Sequence, residues 1–254
     1  MTALRRFAFA CLAAPLALGL AACGEDAATD GAPRGEPIAA IPPPAGQSWV
    51  EVAAVTPEGG VRIGNPEAPL KLVEYASHTC HVCAEFSQQG AVPLDGYVEK
   101  GVVSYEIRNL VRDPVDLTIA VLARCSGPGA FHPLANQVWG NFDALMATVQ
   151  SNGEALQQAS QAAPAQRLQA IGQASGLIEF FAERGISRDQ AMQCLANTAQ
   201  AEQIAEASDA QAQELNITGT PTFFLNGTRL QPTSWGPNQA GPGLEAALQQ
   251  AGAR

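Results

Sequence analysis

Apolar and polar positions divide the chain into a tail, a sheet-forming stretch, a long helical middle and a short sheet-forming end. Leu70 to Tyr75 is an apolar run bounded by Pro69 and by the polar Ser77-His78-Thr79, which predicts a strand. From Cys80 onward, Ala84, Phe86, Val92 and Leu94 are spread among polar residues and predict a helix, and Val102 to Val111 predicts the next strand. The order is β-α-β. Upstream, Trp49 to Val55 and Val61 to Ile63 predict two short strands about the turn Pro57-Glu58-Gly59-Gly60. Asp113-Pro114 sets a capping acid before a proline at the first helical position, with Leu117, Val121 and Cys125 on one face beyond it. From there to about Ala210 the chain is rich in Ala and Gln, broken at Gly153, Pro164 and Gly185, and predicts several helices and no strands. Within it Ser187-Arg188-Asp189-Gln190 reads as a capping box that turns Ala191, Cys194 and Leu195 to the buried side. Strands resume at Thr222 to Leu225, reverse at Asn226-Gly227 and return through Thr228 to Leu230, before a last helix over Gly243 to Gln250. There is no internal repeat.

The N-terminus follows another logic. Arg5 and Arg6 precede the apolar run Phe7 to Leu20, which is too short for a comfortable membrane span and predicts a signal peptide over residues 1–22. Its end, Leu20-Ala21-Ala22-Cys23, resembles the lipobox of bacterial lipoproteins, which implies cleavage before Cys23 and lipid on that residue. The alternative is an ordinary cleavage site beside a chance cysteine. Residues 24–47, rich in Gly, Pro, Ala and acids and including Pro42-Pro43-Pro44, lack apolar periodicity and predict a flexible tether over 23–48. Nothing after Leu20 is apolar for long enough to cross a bilayer. The expected location is therefore the periplasmic side of a bacterial envelope, held by lipid.

Charge removes one class of function. The formal net charge is −10, and Lys71 and Lys100 are the sole lysines, so there is no basic stripe to neutralise phosphates and no expectation of nucleic-acid binding.

Of six cysteines, Cys11 leaves with the signal peptide and Cys23 takes the lipid, so Cys80, Cys83, Cys125 and Cys194 remain. In an exported chain such cysteines can form lasting disulfides. Cys80-His81-Val82-Cys83 sits between a strand and a helix, where two thiols one turn apart close without moving the backbone. The first, at the helix N-terminus, is the expected nucleophile, because the helix dipole and free N–H groups lower its pKa. Cys83 is the expected resolving thiol. A CxxC can also be half a zinc site, which His78 or His81 would help complete, but no second ligand pair appears at regular spacing. Cys125 and Cys194 each lie on the apolar face of a predicted helix and are expected to form a structural disulfide; two reduced core cysteines are the alternative. His132, in Phe131-His132-Pro133, reads as a surface or helix-entry residue.

Gly64-Asn65-Pro66-Glu67-Ala68-Pro69, the strand Leu70 to Tyr75, the CxxC, the helical stretch and Gly219-Thr220-Pro221-Thr222-Phe223-Phe224 together resemble the DsbA-type thioredoxin family, from Ile63 to the C-terminus. The resemblance implies an α/β thioredoxin fold with a helical insertion between its halves: a first part over 49–118, the insertion over 119–205 and a second part over 206–254. It implies that Pro221 is cis and faces the cysteine pair, with Thr220 lending backbone hydrogen bonds to an extended substrate. It matches Glu74 to a buried acid beneath the disulfide, which in apolar surroundings has a raised pKa and exchanges a proton with Cys83; a solvated glutamate is the alternative. The motif departs from the family at one place. Members of the oxidase type carry His directly before the second cysteine, where this chain has Val82, while His81 follows the first. An imidazole there either stabilises the Cys80 thiolate or faces solvent.

The expected activity is dithiol-disulfide exchange with cysteines of exported proteins, in the oxidase direction, without a cofactor. The partner implied is a quinone-linked membrane thiol oxidase, or a transmembrane reductant if the chain is a reductase or isomerase. Two further alternatives are a metal-binding lipoprotein using the CxxC and an envelope-organising lipoprotein in which the motif is vestigial.

Overall fold

Residues 32–231 and 240–254 are described by the structure, a computed structural model. The expected signal peptide and the lipidation at Cys23 lie outside the described residues. Among the described residues six strands, β1 (Ala53–Val55), β2 (Val61–Gly64), β3 (Leu70–Ala76), β4 (Val103–Asn109), β5 (Thr222–Leu225) and β6 (Thr228–Arg229), form one sheet in the order β1-β2-β4-β3-β5-β6. Only β3 and β4 run parallel, as their connection through the long helix α1 (His81–Glu99) requires. The other neighbours are antiparallel. The first expected strand is shorter than read: Trp49–Glu51 is a 3-10 turn, and pairing begins at Ala53.

β3 lies at the centre, between β4 and β5. Its Leu70, Leu72, Glu74, Tyr75 and Ala76 are all buried, so the strand is covered on both faces toward its C-terminal end. The final hairpin turns at Asn226 and Gly227, with φ of 50° and 79°, the left-handed geometry for which Asn-Gly is suited. Asn226 then ties the turn to β3, its Oδ1 accepting from Lys71 N at 2.8 Å and its Nδ2 donating to Pro69 O at 3.1 Å.

Between β4 and β5 come eight helices: α2 (Pro114–Ala123), α3 (Pro128–Gly140), α4 (Phe142–Ser151), α5 (Gly153–Ser160), α6 (Pro164–Ala174), α7 (Leu177–Ala182), α8 (Arg188–Leu195) and α9 (Thr198–Glu214). A final helix, α10 (Ala240–Gln250), packs on α1. The caps read from sequence are in place: Asp113 accepts from Asp116 N and Ser187 from Gln190 N. The helical run thus begins at Pro114 and ends at Glu214, so α2 and α9 straddle the expected limits of the insertion at 119 and 205. A helix boundary follows its caps, not the point at which composition changes.

The expected tether is corrected from residue 32 onward. Gly35 and Ile38 donate backbone hydrogen bonds to the carbonyls of Gln250 and Gly252, Ile41 donates to Lys100, and Trp49 Nε1 donates to Ile41 O at 2.7 Å. A Cβ at Gly252 (φ +105°) would stand 2.2 Å from Glu36 O, so glycine permits the close approach. An extended segment that satisfies its backbone on a helix end needs no apolar periodicity, which is why its composition reads as a linker.

Cys125 and Cys194 are joined, with Cα atoms 5.9 Å apart, tying the end of α2 to α8 across 69 residues. Replacing both by alanine is expected to lower the unfolding free energy by up to ~4 kcal/mol in the chain-entropy picture. Urea denaturation of oxidised protein measures this, and an unchanged midpoint would mean that the two thiols are not paired in the folded chain.

Candidate active site

The site is built at the C-terminal end of β3, where Ser77 to Cys80 lead into α1. This loop is held from below by the insertion. Asp116 of α2, buried, accepts from Ser77 Oγ at 2.6 Å, from His78 N at 2.8 Å and from Arg112 N at 3.1 Å. Asp113 accepts from Thr79 Oγ1 at 2.7 Å while it caps α2. Trp139 of α3 donates to Ser77 O at 3.1 Å and stacks on the buried His78 ring, with centroids 5.3 Å apart. These bonds hold the loop from Ser77 to Thr79 against α2 and α3 and so fix where the helix starts.

Cys80 is the residue that caps α1, with extended backbone (φ −99°, ψ 119°), and Cys83 lies in the first turn. Both are free thiols, buried in the core. They differ sharply in acidity. The Cys83 thiol, donated to Cys80 sulfur, brings Cys80 down to about 5 against the opposing effect of burial; Thr220 and the backbone N–H groups of Cys83 and Val82 add to it. Cys83 is pushed well above the usual thiol range, by burial first and then by the Cys80 and Glu74 charges. At neutral pH one thiolate and one thiol share the site, the division of labour that exchange requires.

Thr220-Pro221 is a cis peptide immediately before β5, and it faces this pair. Protonated Cys80 Sγ lies 3.2 Å from the Thr220 carbonyl oxygen, which accepts from it. Beneath the pair, Glu74 is fully buried on β3, flanked in register by Ile107 and Phe223. Burial raises its carboxyl to about 8, the Tyr105 hydroxyl bonded to Oε2 opposes this, and the Cys80 charge adds to it. The structure thus gathers Cys80, Cys83, Glu74, Thr220 and Pro221 at one place.

The family model described as Thioredoxin matches residues 56–239. A protein-disulfide isomerase of known crystal structure from Novosphingobium aromaticivorans is 33% identical, with a TM-score of 0.64 over 68% of this chain and 89% of that one. The chain belongs to the thioredoxin family. The fold of this thioredoxin-family chain is also that of alpha-DsbA1 from Wolbachia pipientis, at 22% identity and a TM-score of 0.53 over 67% of this chain and 75% of that one. Among curated relatives, the Rickettsia typhi protein named "Putative protein-disulfide oxidoreductase" is 26% identical over 66% of this chain. The chain spans 55% of that relative's length and 58% of the Rickettsia felis one.

His81 is not gathered into the site. Its side chain is 62% exposed, with Nδ1 3.4 Å from Glu85 Oε1 and the ring edge-on to Phe142. As the first residue inside α1 it points off the helix rather than over its end. His132 lies neither on the surface nor at a helix entry. α3 starts four residues earlier, at Pro128, which carries His132 one turn inward; it is buried, its Nε2 is 2.8 Å from Val61 O, and burial lowers it to about 4, so it is neutral. Among the described residues, no three His, Cys, Asp or Glu side chains are grouped to hold a metal, so the metal reading finds no third ligand beside the cysteines.

Three residues escaped the sequence. Asp116 stands three positions after the capping acid, where a carboxylate is ordinarily solvated, and Trp139 carried no signal. Tyr105 requires the β3–β4 register, which sets it beside Leu72 and in reach of Glu74.

Proposed function

We propose that this chain is an exported, lipid-anchored thiol-disulfide oxidoreductase that exchanges its Cys80–Cys83 pair with cysteines of envelope or secreted proteins, chiefly as an oxidase. The observation that carries this reading is the asymmetry of the pair: a Cys80 thiol near 5 at a helix end against the Thr220-Pro221 turn, and a buried Cys83 far above it. In the oxidase direction a substrate thiolate attacks Cys80 Sγ, and the Cys80–Cys83 bond breaks as Cys83 leaves and takes a proton. A second substrate thiolate then attacks the mixed disulfide, and Cys80 departs as a stable thiolate. Two electrons have passed from substrate to enzyme. A quinone-linked membrane thiol oxidase would remove them. Extended substrate would lie along Thr220, whose backbone precedes the cis proline.

The Novosphingobium relative's description as an isomerase, and Val82 in the place of the oxidase-type histidine, favour a second reading as isomerase or reductase kept reduced from across the membrane. The reduction potential separates the two. Stabilising the thiolate stabilises the reduced form, and a Cys80 near 5 lies between the roughly 3.5 of DsbA and 7 of thioredoxin. The expected potential is therefore between about −130 and −230 mV. Equilibration against glutathione buffers, read by alkylation and mass, measures it; a value as low as that of thioredoxin would promote the reductase or isomerase.

Anchoring rests on the Leu20-Ala21-Ala22-Cys23 run. Cys23→Ala is expected to move the protein from the membrane fraction to the soluble one, and a wild-type protein found wholly soluble, with an N-terminus other than Cys23, would remove the anchor.

A further inference from the structure

The site leaves one proton unaccounted for in detail. When Cys83 attacks a mixed disulfide at Cys80, its proton must go to a base; in the reverse step Cys83 leaves as a thiolate and must receive one. Glu74 is fully buried, and its two carboxyl oxygens are not equivalent. Oε2 is engaged by the Tyr105 hydroxyl, whereas Oε1 is buried with no hydrogen-bond partner.

We propose that Tyr105 is a positioning residue for proton transfer at Cys83: its hydroxyl pins Oε2 of Glu74 and leaves Oε1 as the oxygen that exchanges a proton with the buried thiol. The inference rests on the oxidoreductase reading of the same site and deepens it. In the resolving step the Cys83 proton passes to Oε1 and the Cys83 sulfur bonds to Cys80 Sγ. The bond from Cys80 to the substrate sulfur breaks, and the substrate leaves as a thiolate. In the oxidase direction each movement reverses, and Glu74 returns the proton to Cys83 as it departs.

The surroundings leave few other groups for this task. On α1 the titratable neighbours of Glu74 are Cys80 and Cys83, on β4 it is Tyr105, and its partners in register, Ile107 and Phe223, are apolar. Tyr105 in turn faces Glu74, Cys83 and Asp95, and its ring meets that of His132, with centroids 5.2 Å apart. His132 is neutral and bonded to Val61 O, and the Asp95 carboxyl is itself raised by burial. An ionised Glu74 gains the phenol as a donor, so the hydroxyl favours the carboxylate that serves as base.

The test is Tyr105→Phe in the full chain, with 3-fluorotyrosine at position 105 as a second variant that keeps ring and donor. Two quantities are read: the Glu74 carboxyl titration by infrared difference spectroscopy against Glu74→Gln, and the pH dependence of mixed-disulfide resolution. Removing the hydroxyl is expected to move both midpoints up by about one unit, which slows resolution at pH 7 roughly tenfold. The rate should recover at higher pH, and alkylation of Cys80 should be unchanged. Fluorotyrosine, a stronger donor, should bring the midpoints to or below the wild-type position. In a Glu74→Gln background Tyr105→Phe should slow resolution no further. An unmoved carboxyl midpoint, or equal slowing at every pH and in both backgrounds, would overturn the assignment. Failure of the oxidoreductase reading looks different: the wild-type protein would not exchange disulfides, while the carboxyl titration would still report on Tyr105.

Discussion

Cys80→Ala is expected to lower disulfide exchange by about three orders of magnitude or more, to the level of small thiols in the buffer, because the remaining Cys83 is buried, held as a thiol well above the usual range, and left without a sulfur to pair with. Cys83→Ala should behave differently. Attack by Cys80 survives, resolution does not, and mixed disulfides with substrate accumulate and can be isolated on a non-reducing gel. The pH dependence follows from the thiolate. Alkylation of Cys80 in the reduced protein should rise through a midpoint near pH 5 rather than 9. The same shift links to stability with a definite sign. Because the folded pKa is depressed, the reduced protein gains stability over an unfolded thiol above the ordinary thiol range, and loses it as pH falls through about 5. The reduced form should therefore lose stability relative to the oxidised form, which has no Cys80 thiol to titrate, as pH falls from about 9 to about 5. A Cys80 that alkylates with an ordinary thiol midpoint would remove the physical basis of the oxidase direction.

Glu74→Gln should stabilise the protein while it impairs the chemistry. The carboxyl titrates at about 8 in the folded chain against 4.5 when solvated, so between these values the folded state holds a proton that the unfolded state has released. Stability contributed by the site is complete below 4.5 and falls as pH rises toward 8. An amide keeps an acceptor for Tyr105 and never ionises. It should raise the unfolding free energy by about 3 kcal/mol at pH 7, more at pH 8, and hardly at all at pH 4. Resolution of mixed disulfides should slow and lose its dependence on pH near 8. Urea denaturation across pH measures the first effect and quenched single-turnover exchange the second. A variant no more stable than the parent at pH 8 would mean that Glu74 ionises without cost, and hence that water reaches it.

Much of this architecture is legible along the chain because it is locally encoded. The β-α-β order about Cys80, the caps at Asp113 and Ser187 and the Asn226-Gly227 turn each depend on residues within a few positions of one another. Local chemistry is visible to local reading. The tail from Ala32 to Gln47 misled for the same reason: its partners are the ends of α1 and α10, distant in sequence, and a segment without periodicity reads as a linker. His132 misled because its burial follows from where α3 begins, which Gly127 and Pro128 decide rather than the histidine's own neighbours.

By itself, then, the sequence determined which residues could do redox chemistry and on what frame: a CxxC at a strand-to-helix junction and a Thr-Pro before a late strand. It also supplied an acid six residues upstream of the first cysteine. Tertiary structure alone decided what those residues face. It brought Thr220 to 3.2 Å from Cys80 across 140 residues, turned His81 outward to Glu85, and enclosed Glu74 with one oxygen on Tyr105 and one without a partner. The reason is physical: a residue's type is a property of one position, whereas burial, the field of a neighbouring charge and the identity of a hydrogen-bond donor are properties of packing. The acidity of a thiol or a carboxyl depends on the latter.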